Sequence, residues 1–311
     1  MDSNDARIIL VTRRTRLEEL VARHNTLEQA RFYVERLGGG FEDYVSEDGT
    51  YRSVVDQAER DLKNWGRVQR LERTFLPNYL FAAKDIVVVV GQDGLVANTM
   101  KYLDGQPVIA INPDPKRNEG VLLPFGPSEL IPILRETLGK GRPRASISLA
   151  EARLNDGQVL HAVNDFFIGP RRHTTASYRI TYGEREEFQM SSGVIVSTGL
   201  GSTGWVRSIV MGAERIAQAS GTSIEQDRLL SGMQWDSRAL LFAVREPYAG
   251  VAAQTDLVIG RVDSEQPLSL ESAMAEEGVI FSDGMLDDAI AFNAGARVDV
   301  TVAARTGMLV M

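Results

Sequence analysis

Two apolar, β-branched runs in this chain each end in a cluster of glycines, and that pairing limits what the sequence can build. Asp85-Ile86-Val87-Val88-Val89-Val90 leads into Gly91-Gln92-Asp93-Gly94, and Gly193-Val194-Ile195-Val196-Ser197-Thr198 leads into Gly199-Leu200-Gly201-Ser202-Thr203-Gly204. The first is the pattern of a strand buried on both faces of a parallel sheet. Glycine at a strand's end lets the backbone approach a ligand, and a helix opening after the turn directs amide donors and its dipole at an anion. Two such turns point to a phosphate-bearing ligand, a nucleotide among the candidates. Asp93 lies between the glycines of the first turn, where a carboxylate beside bound phosphates can orient a hydroxyl or reach a metal ion.

Around the first turn, strand-like and helix-like segments alternate. Ile8 to Val11 reads as a strand, and Leu17, Leu20 and Val21 begin a helical pattern. Val54, Val55, Ala58, Leu62, Trp65, Val68 and Leu71 recur at three- and four-residue steps, which predicts one long amphipathic helix. Val96 to Leu103 reads as a helix, Pro107 to Asn112 as a strand, and Pro127 to Leu138 as a helix ending at Gly139. The pattern changes near Gly141-Arg142-Pro143. Beyond it, Asn155-Asp156-Gly157 and Tyr182-Gly183-Glu184 each separate β-like stretches, as hairpin turns do. Further strand-like runs fall at 239–244, 256–259, 268–270, 279–281 and 298–302, and Trp205 to Ala217 reads as one helix. The expected architecture is an α/β N-terminal domain with a mostly parallel sheet over 1–142, then a β-rich, sandwich-like domain over 143–311. The extreme C-terminus is allowed to return to the first domain.

Composition removes several function classes. The 311 residues, 43% of them hydrophobic, suffice for two packed cores. With 34 basic against 42 acidic residues the net charge is -8, which repels polyanions, so nucleic acid is not an expected partner. The absence of cysteine excludes disulfides, iron–sulfur clusters, thiolate zinc sites and thiol nucleophiles. His24, His161 and His173 are scattered singly and read as surface or hydrogen-bonded residues, so no metal-ligating residue is assigned. No apolar run approaches the ~20 residues that cross a bilayer. Asp2 and Asp5 ahead of Ile8 do not make a signal peptide. A cytoplasmic protein with no membrane partner is expected.

Gly199, Gly201 and Gly204 match the G-x-G-x-x-G dinucleotide fingerprint. A βαβ unit needs a second parallel strand after the helix, however, and Thr222 to Arg228 is too polar for a buried one.

The residues around both turns resemble the NAD kinases. That family carries G-G-D-G-T after a buried strand, an N-E pair at the end of a later strand, and a stretch like D-G-x-x-V-S-T-P-T-G-S-T-A-Y-x-x-S. The corresponding segments here are Gly91-Gln92-Asp93-Gly94-Leu95, Asn164-Asp165, and Ser192 through Trp205 with Ser208 at the trailing serine. They occur in the family's order, and Phe281-Ser282-Asp283-Gly284 is similar to its late D-G turn. The resemblance implies transfer of a phosphoryl group from ATP or polyphosphate to the 2′-hydroxyl of the adenosine ribose of NAD, with Mg²⁺ or another divalent cation.

By that resemblance Asp93 is the catalytic carboxylate that orients the hydroxyl. Gly91 and Gly94, with Gly201 to Gly204, would cradle phosphates through their amides, and Ser202 and Thr203 would add hydroxyl donors. Asn164 and Asp165 would hold the ribose or adenine edge, the amide donating and the carboxylate accepting. Trp205 stands where the family has tyrosine, and Ser192, Thr198 and Ser208 complete the nucleotide-binding set. The implied partners are small nucleotides, NAD and ATP, and a second copy of the chain in a homodimer or higher homo-oligomer.

The chain also departs from the pattern. Gln92 replaces a glycine, a restriction if that position needs positive φ. Leu95 replaces threonine, Ser192 an aspartate, and Gly199-Leu200 a P-T pair, while Asn112-Pro113-Asp114-Pro115 stands where the family is glycine-rich. Two alternatives stay open: a non-catalytic nucleotide sensor on the same fold, and a kinase for a different hydroxyl acceptor.

Overall fold

The computed structural model describes residues 7–139, 141–222 and 229–311. Asp2, Asp5 and the polar segment from 223 to 228 lie outside the described residues. The chain divides into two compact units, with boundaries at Ala145/Ser146 and Gly307/Met308, so that the last four residues belong to the first unit.

The first unit is a parallel sheet with helices. In chain order it comprises β1 (Arg7–Thr12), α1 (Arg16–His24), α2 (Leu27–Arg36), α3 (Phe41–Lys63), β2 (Arg67–Glu72), β3 (Ile86–Val90), α4 (Asp93–Met100), β4 (Pro107–Ile111) and α5 (Leu130–Leu138). The strands run β2-β1-β3-β4, all parallel. Every residue of β3 is buried, which explains its unbroken valine run. Thr15 opens α1 with a capping box, its side chain accepting from Glu18 N while Glu18 reaches back to the Thr15 amide. Val55, Ala58 and Leu62 of α3 pack with Ile8, Leu10, Val88 and Ile109 of the sheet.

The long helix predicted through Leu71 ends earlier. α3 stops at Lys63, and Val68 and Leu71 belong to β2, where they pair with Ile8 and Val11 of β1. β2 is the edge strand, and an edge needs little apolar character; Arg67-Val68-Gln69-Arg70-Leu71-Glu72 therefore carries almost no strand signal.

The second unit is a two-layer β structure with one helix. Its elements are β5 (Arg144–Leu154), β6 (Val159–Ala162), β7 (Asp165–Pro170), β8 (Ala176–Tyr182), β9 (Arg185–Ser191), β10 (Val194–Ser197), α6 (Trp205–Ala219), β11 (Leu240–Val244), β12 (Ile259–Val262), β13 (Leu268–Ser272), β14 (Gly278–Ser282), β15 (Met285–Ala291) and β16 (Arg297–Val310). One antiparallel sheet runs β12-β11-β10-β7-β14-β15. In the other layer β16, β13, β8 and β9 pair in that order, with β5 and β6 alongside. Phe166, Ile168, Val194, Val196 and Phe242 of the first layer share one core with Tyr178, Ile180, Leu268 and Val298 of the second. The alternate residues Phe167, Ile195 and Val279 face the other way, toward Trp205 and Ile209 of α6. The strand expected at 256–259 is displaced to Ile259–Val262, because the amides of Asp256 and Leu257 turn aside to donate to the Glu187 carboxylate.

Candidate functional site

In the first unit, the carboxyl ends of β1, β3 and β4 open onto a crevice of about 390 Å³ lined by Arg13, Arg16, Tyr51, Gln92, Asp114 and Arg117, among others. β2 and β3 flank β1 on opposite sides, so this is the topological switch point where open α/β sheets take their ligands. Tyr51 ties the crevice together: its hydroxyl donates to Val90 O at 3.0 Å and accepts from Arg13 N at 2.9 Å. Burial raises the Tyr51 pKa to about 12, so the phenol keeps its proton. Arg13 and Arg16 both pair with Glu47, and Arg16 and Arg117 both pair with Asp43.

The first glycine turn sits at the same end of the sheet. Gln92 is the N-cap of α4 with φ -117° and ψ 164°, extended backbone that any residue adopts, so the expected restriction does not arise. Asp93 is the first helical residue, and its Oδ1 accepts from Leu122 N at 2.7 Å. The carboxylate therefore tethers the loop after β4 rather than capping its own helix. The Gly91 amide donates to Ile111 O, continuing the sheet, so it is not directed at a ligand as expected. A Cβ on Gly91 would lie 2.6 Å from Leu95 Cδ2, so the glycine makes room for the buried leucine that replaces threonine. Gly94 lies in the first turn of α4, where helix geometry gives an amide no carbonyl of its own.

In the second unit, residues distant in sequence meet at one end of the six-stranded sheet. A cavity of about 330 Å³ is lined by Asn164, Asp165, Gly201, Thr203, Gly204 and Asp283, with Leu200 and Gly284. Asp283 organises it. Its carboxylate accepts from the amides of Val163, Asn164 and Asp165, and its own amide donates to Asp165 O at 3.0 Å. Asp283 and Gly284 form the two-residue hairpin between β14 and β15 with φ of 53° and 71°, the left-handed pair that Asp-Gly turns favour. Asn164 is thereby fixed by its backbone, while among the described residues its side-chain amide makes no hydrogen bond.

The Asp165 carboxyl is nearly buried beside Asp283, and its pKa is raised to about 7, by desolvation first and by the neighbouring negative charge second. It is therefore not the simple acceptor expected from sequence. Near neutrality it holds a proton about half the time and can donate as well as accept.

The second glycine loop differs from expectation in its donors. The Gly201 amide donates to Thr198 Oγ1, the Gly204 amide to Gly201 O, and the Ser202 hydroxyl to Gly199 O. Thr198 is fully buried, and its hydroxyl holds Val163 O. Thr203 Oγ1 turns back to Leu200 O at 3.4 Å, and Ser208 Oγ to Gly204 O at 3.3 Å. A Cβ would fall 2.1 Å from Asn164 O at Gly201 and 1.7 Å from Gln234 O at Gly199, so these glycines admit neighbouring backbone. Thr198 and Ser202 shape the loop, whereas Gly201, Thr203 and Gly204 line the cavity.

Ser192 and Trp205 line a neighbouring, larger cavity of about 580 Å³ in the same unit. Trp205 stacks on Phe167 with centroids 5.8 Å apart, and Arg245 lies over its ring. Among the described residues no group of three or more His, Asp or Glu side chains is placed to hold a metal ion, and no helix is long and apolar enough to cross a membrane.

No family model matches the sequence, and no curated protein matches it. Solved structures do. Yeast NADH kinase complexed with NADH superposes with a TM-score of 0.57 at 15% identity, covering 99% of this chain and 84% of that one. An NAD kinase from Archaeoglobus fulgidus in complex with ATP superposes with a TM-score of 0.56 at 15% identity, covering 98% of this chain and 93% of that one. The chain has the NAD kinase fold. The mostly parallel α/β sheet followed by antiparallel β layers is the architecture expected from the sequence. Within the NAD kinase fold, Asp283 is the site residue that motif reading left unassigned, although its Asp-Gly turn was visible.

Proposed function

We propose that this protein is an NAD kinase-like phosphotransferase that moves a phosphoryl group from ATP or polyphosphate to the 2′-hydroxyl of the adenosine ribose of NAD. The observation that carries the reading is the second-unit cavity. Three motifs separated by tens of residues, Asn164-Asp165, Gly201 to Gly204, and Asp283-Gly284, converge there, and among the described residues the Asn164 side-chain amide makes no hydrogen bond. The yeast relative was solved with NADH and the Archaeoglobus relative with ATP, which supports a nucleotide as ligand.

In this reading the Asn164 amide and the Asp165 carboxyl take the sugar edge of the acceptor, and Asp93 orients the attacking hydroxyl and accepts its proton late in transfer. Positioning and charge stabilisation do most of the work in such a step. Among the described residues no cluster of three or more His, Asp or Glu is placed to cage a metal ion, so a divalent cation would enter on the donor's phosphates, and no step here depends on the protein holding it. Homo-oligomeric assembly and a cytoplasmic setting belong to the same proposal.

The test is incubation with ATP, Mg²⁺ and NAD, followed by assay for NADP. NADP formation that Asp93→Asn abolishes while NAD binding persists supports the kinase. Tight nucleotide binding with no turnover in either form supports the sensor, which is favoured by one observation: in the second glycine loop the amides of Gly201 and Gly204 and the hydroxyls of Ser202 and Thr203 are engaged within the protein.

A further inference from the structure

In the first unit, α1, α2 and the first turn of α3 are held by a small apolar cluster of their own, Leu17, Ala30, Val34 and Phe41. A separate cluster joins Tyr51, Val55, Ala58 and Leu62 of the same helix α3 to the sheet. Between the two lies Gly49, within α3 and with open space where a Cβ would stand. Glycine is among the weakest helix formers, so α3 bends most easily there. Four buried side chains make a thin core, the kind of region that opens ahead of the rest of a protein. Two cavities adjoin these helices. The crevice of about 390 Å³ lies between Arg16, Asp43 and Glu47 on one wall and Gln92, Asp114 and Arg117 on the other, and a cavity of about 660 Å³ lies between Glu18 and Ala22 of α1 and Arg70, Glu72 and Phe75. Across the crevice runs one ion pair, in which Arg117 Nη1 donates to Asp43 Oδ1 at 2.6 Å. Among the described residues no other hydrogen bond or ion pair joins residues 16–48 to the connection from β4 to α5. Asp43 is steadied by Arg16 at 2.8 Å and Arg117 by Asp114 at 3.2 Å, so each wall presents its charge already oriented.

We propose that residues 16–48 form a helical lid on this crevice, hinged at Gly49 and in residues 13–15 after β1, and latched shut by Asp43 against Arg117. The ties at the root, Arg13 to Glu47, Thr15 to Asp48 and Arg52 to Glu18, lie beside the hinge and serve as its pivot. The larger cavity gives α1 room to rock, where a close-packed interior would hold it. A pair as exposed as Asp43 and Arg117 is weak, worth at most about a fivefold change in the ratio of closed to open lid. That suits a latch which must release at each opening. An open lid admits a ligand to the carboxyl ends of the strands, and a closed one shields it from water. The lid belongs to the first unit alone and stands apart from the kinase reading.

The chain has no cysteine, so two introduced ones carry spin labels without competition: Glu35→Cys on α2 and Lys116→Cys beside Arg117, both at exposed positions. Pulsed electron spin resonance reads the distance between them in the whole chain. At low ionic strength one main distance and a minor longer one are expected. Asp43→Asn should raise the longer population by up to about fivefold. Salt at about 0.5 M should do the same where Asp43 is present and add nothing to Asp43→Asn, because ions screen an exposed pair. Gly49→Ala, which fits the open space at that position, should lower the longer population by stiffening α3. Glu42→Gln removes another acid from the same helical turn, one that pairs with Arg31 rather than Arg117, and should change nothing. Distances that neither Asp43→Asn nor salt alters, or an equal response to Glu42→Gln, overturn the latch. A longer population that Gly49→Ala leaves unchanged overturns the hinge. The salt response needs no substitution of the latch, so it decides the matter even where a variant misfolds.

Discussion

Asp165 makes the stability of this protein depend on pH in a direction opposite to that of most carboxylates. Its pKa moves from an ordinary 3.8 to about 7 on folding, because burial and Asp283 both disfavour the charged form. Below about pH 4 the group is protonated in both states and contributes nothing to the difference. As pH rises, the unfolded chain loses its proton first, so stability falls until the folded-state pKa is passed near pH 7, and then levels off. At about 1.4 kcal/mol per pH unit, a gap of about three units places the penalty above pH 7 at about 4 kcal/mol.

Asp165→Asn removes the ionisation and keeps the shape. It is expected to stabilise the protein by a few kcal/mol at about pH 8.5 and by much less at about pH 5. Urea unfolding of both proteins at the two pH values, compared at equal m-value, reads the difference directly. A variant that changes stability equally at both pH values refutes the reasoning, since the charge at position 165 would then have no cost. The same ionisation reaches function: a ligand that accepts a hydrogen bond from Asp165 should bind more weakly as pH rises through 7, and lose that dependence in the variant.

Tyr51→Phe leaves Arg13 N and Val90 O without their shared partner and should cost about 1–3 kcal/mol in thermal or urea unfolding, with α3 otherwise intact. Asp93→Asn retains an oxygen for Leu122 N and should unfold like wild type, whereas Asp93→Ala should lose about 1 kcal/mol; turnover, if present, should be lost in both. Asp283→Ala removes the acceptor for three consecutive amides and should destabilise by about 3 kcal/mol or more, with loss of amide exchange protection at Val163, Asn164 and Asp165. Gly201→Ala drives a Cβ into Asn164 O and should fail to accumulate as folded protein, whereas Gly94→Ala, with open space at its Cβ, should fold.

Much of this architecture was legible because the decisive strands carry strong local patterns. The valine run of β3 and the Val-Ile-Val of β10 are buried on both faces, and burial is what writes a continuous apolar run into a sequence. The turns at Gly157, Gly183 and Asp283-Gly284 follow from residues that tolerate positive φ. β2 was illegible for the complementary reason: an edge strand buries little, and its Val68 and Leu71 happened to continue the spacing of the helix before it. The glycine loop at 199–204 was read correctly as a place of close approach, but the approaching groups include the carbonyls of Asn164 and Gln234. Nothing local distinguishes those from a phosphate. The role of Asp283 rests on bonds to amides more than a hundred residues away, which no window of sequence contains.

β16 is divided between the two units. Met308 and Leu309 lie parallel to Pro107 and Val108 of β4, and Val310 is buried in the core of the first unit. A ribosome therefore finishes the second unit before it delivers the strand that closes the first. Until then β4 presents an open edge, the kind of surface that recruits wrong partners. Removing residues 308–311 should leave the N-terminal half poorly folded and prone to aggregate, at a cost of several kcal/mol for two fully buried aliphatic side chains. Maturation of the first unit's sheet thus waits on residues made after the second unit.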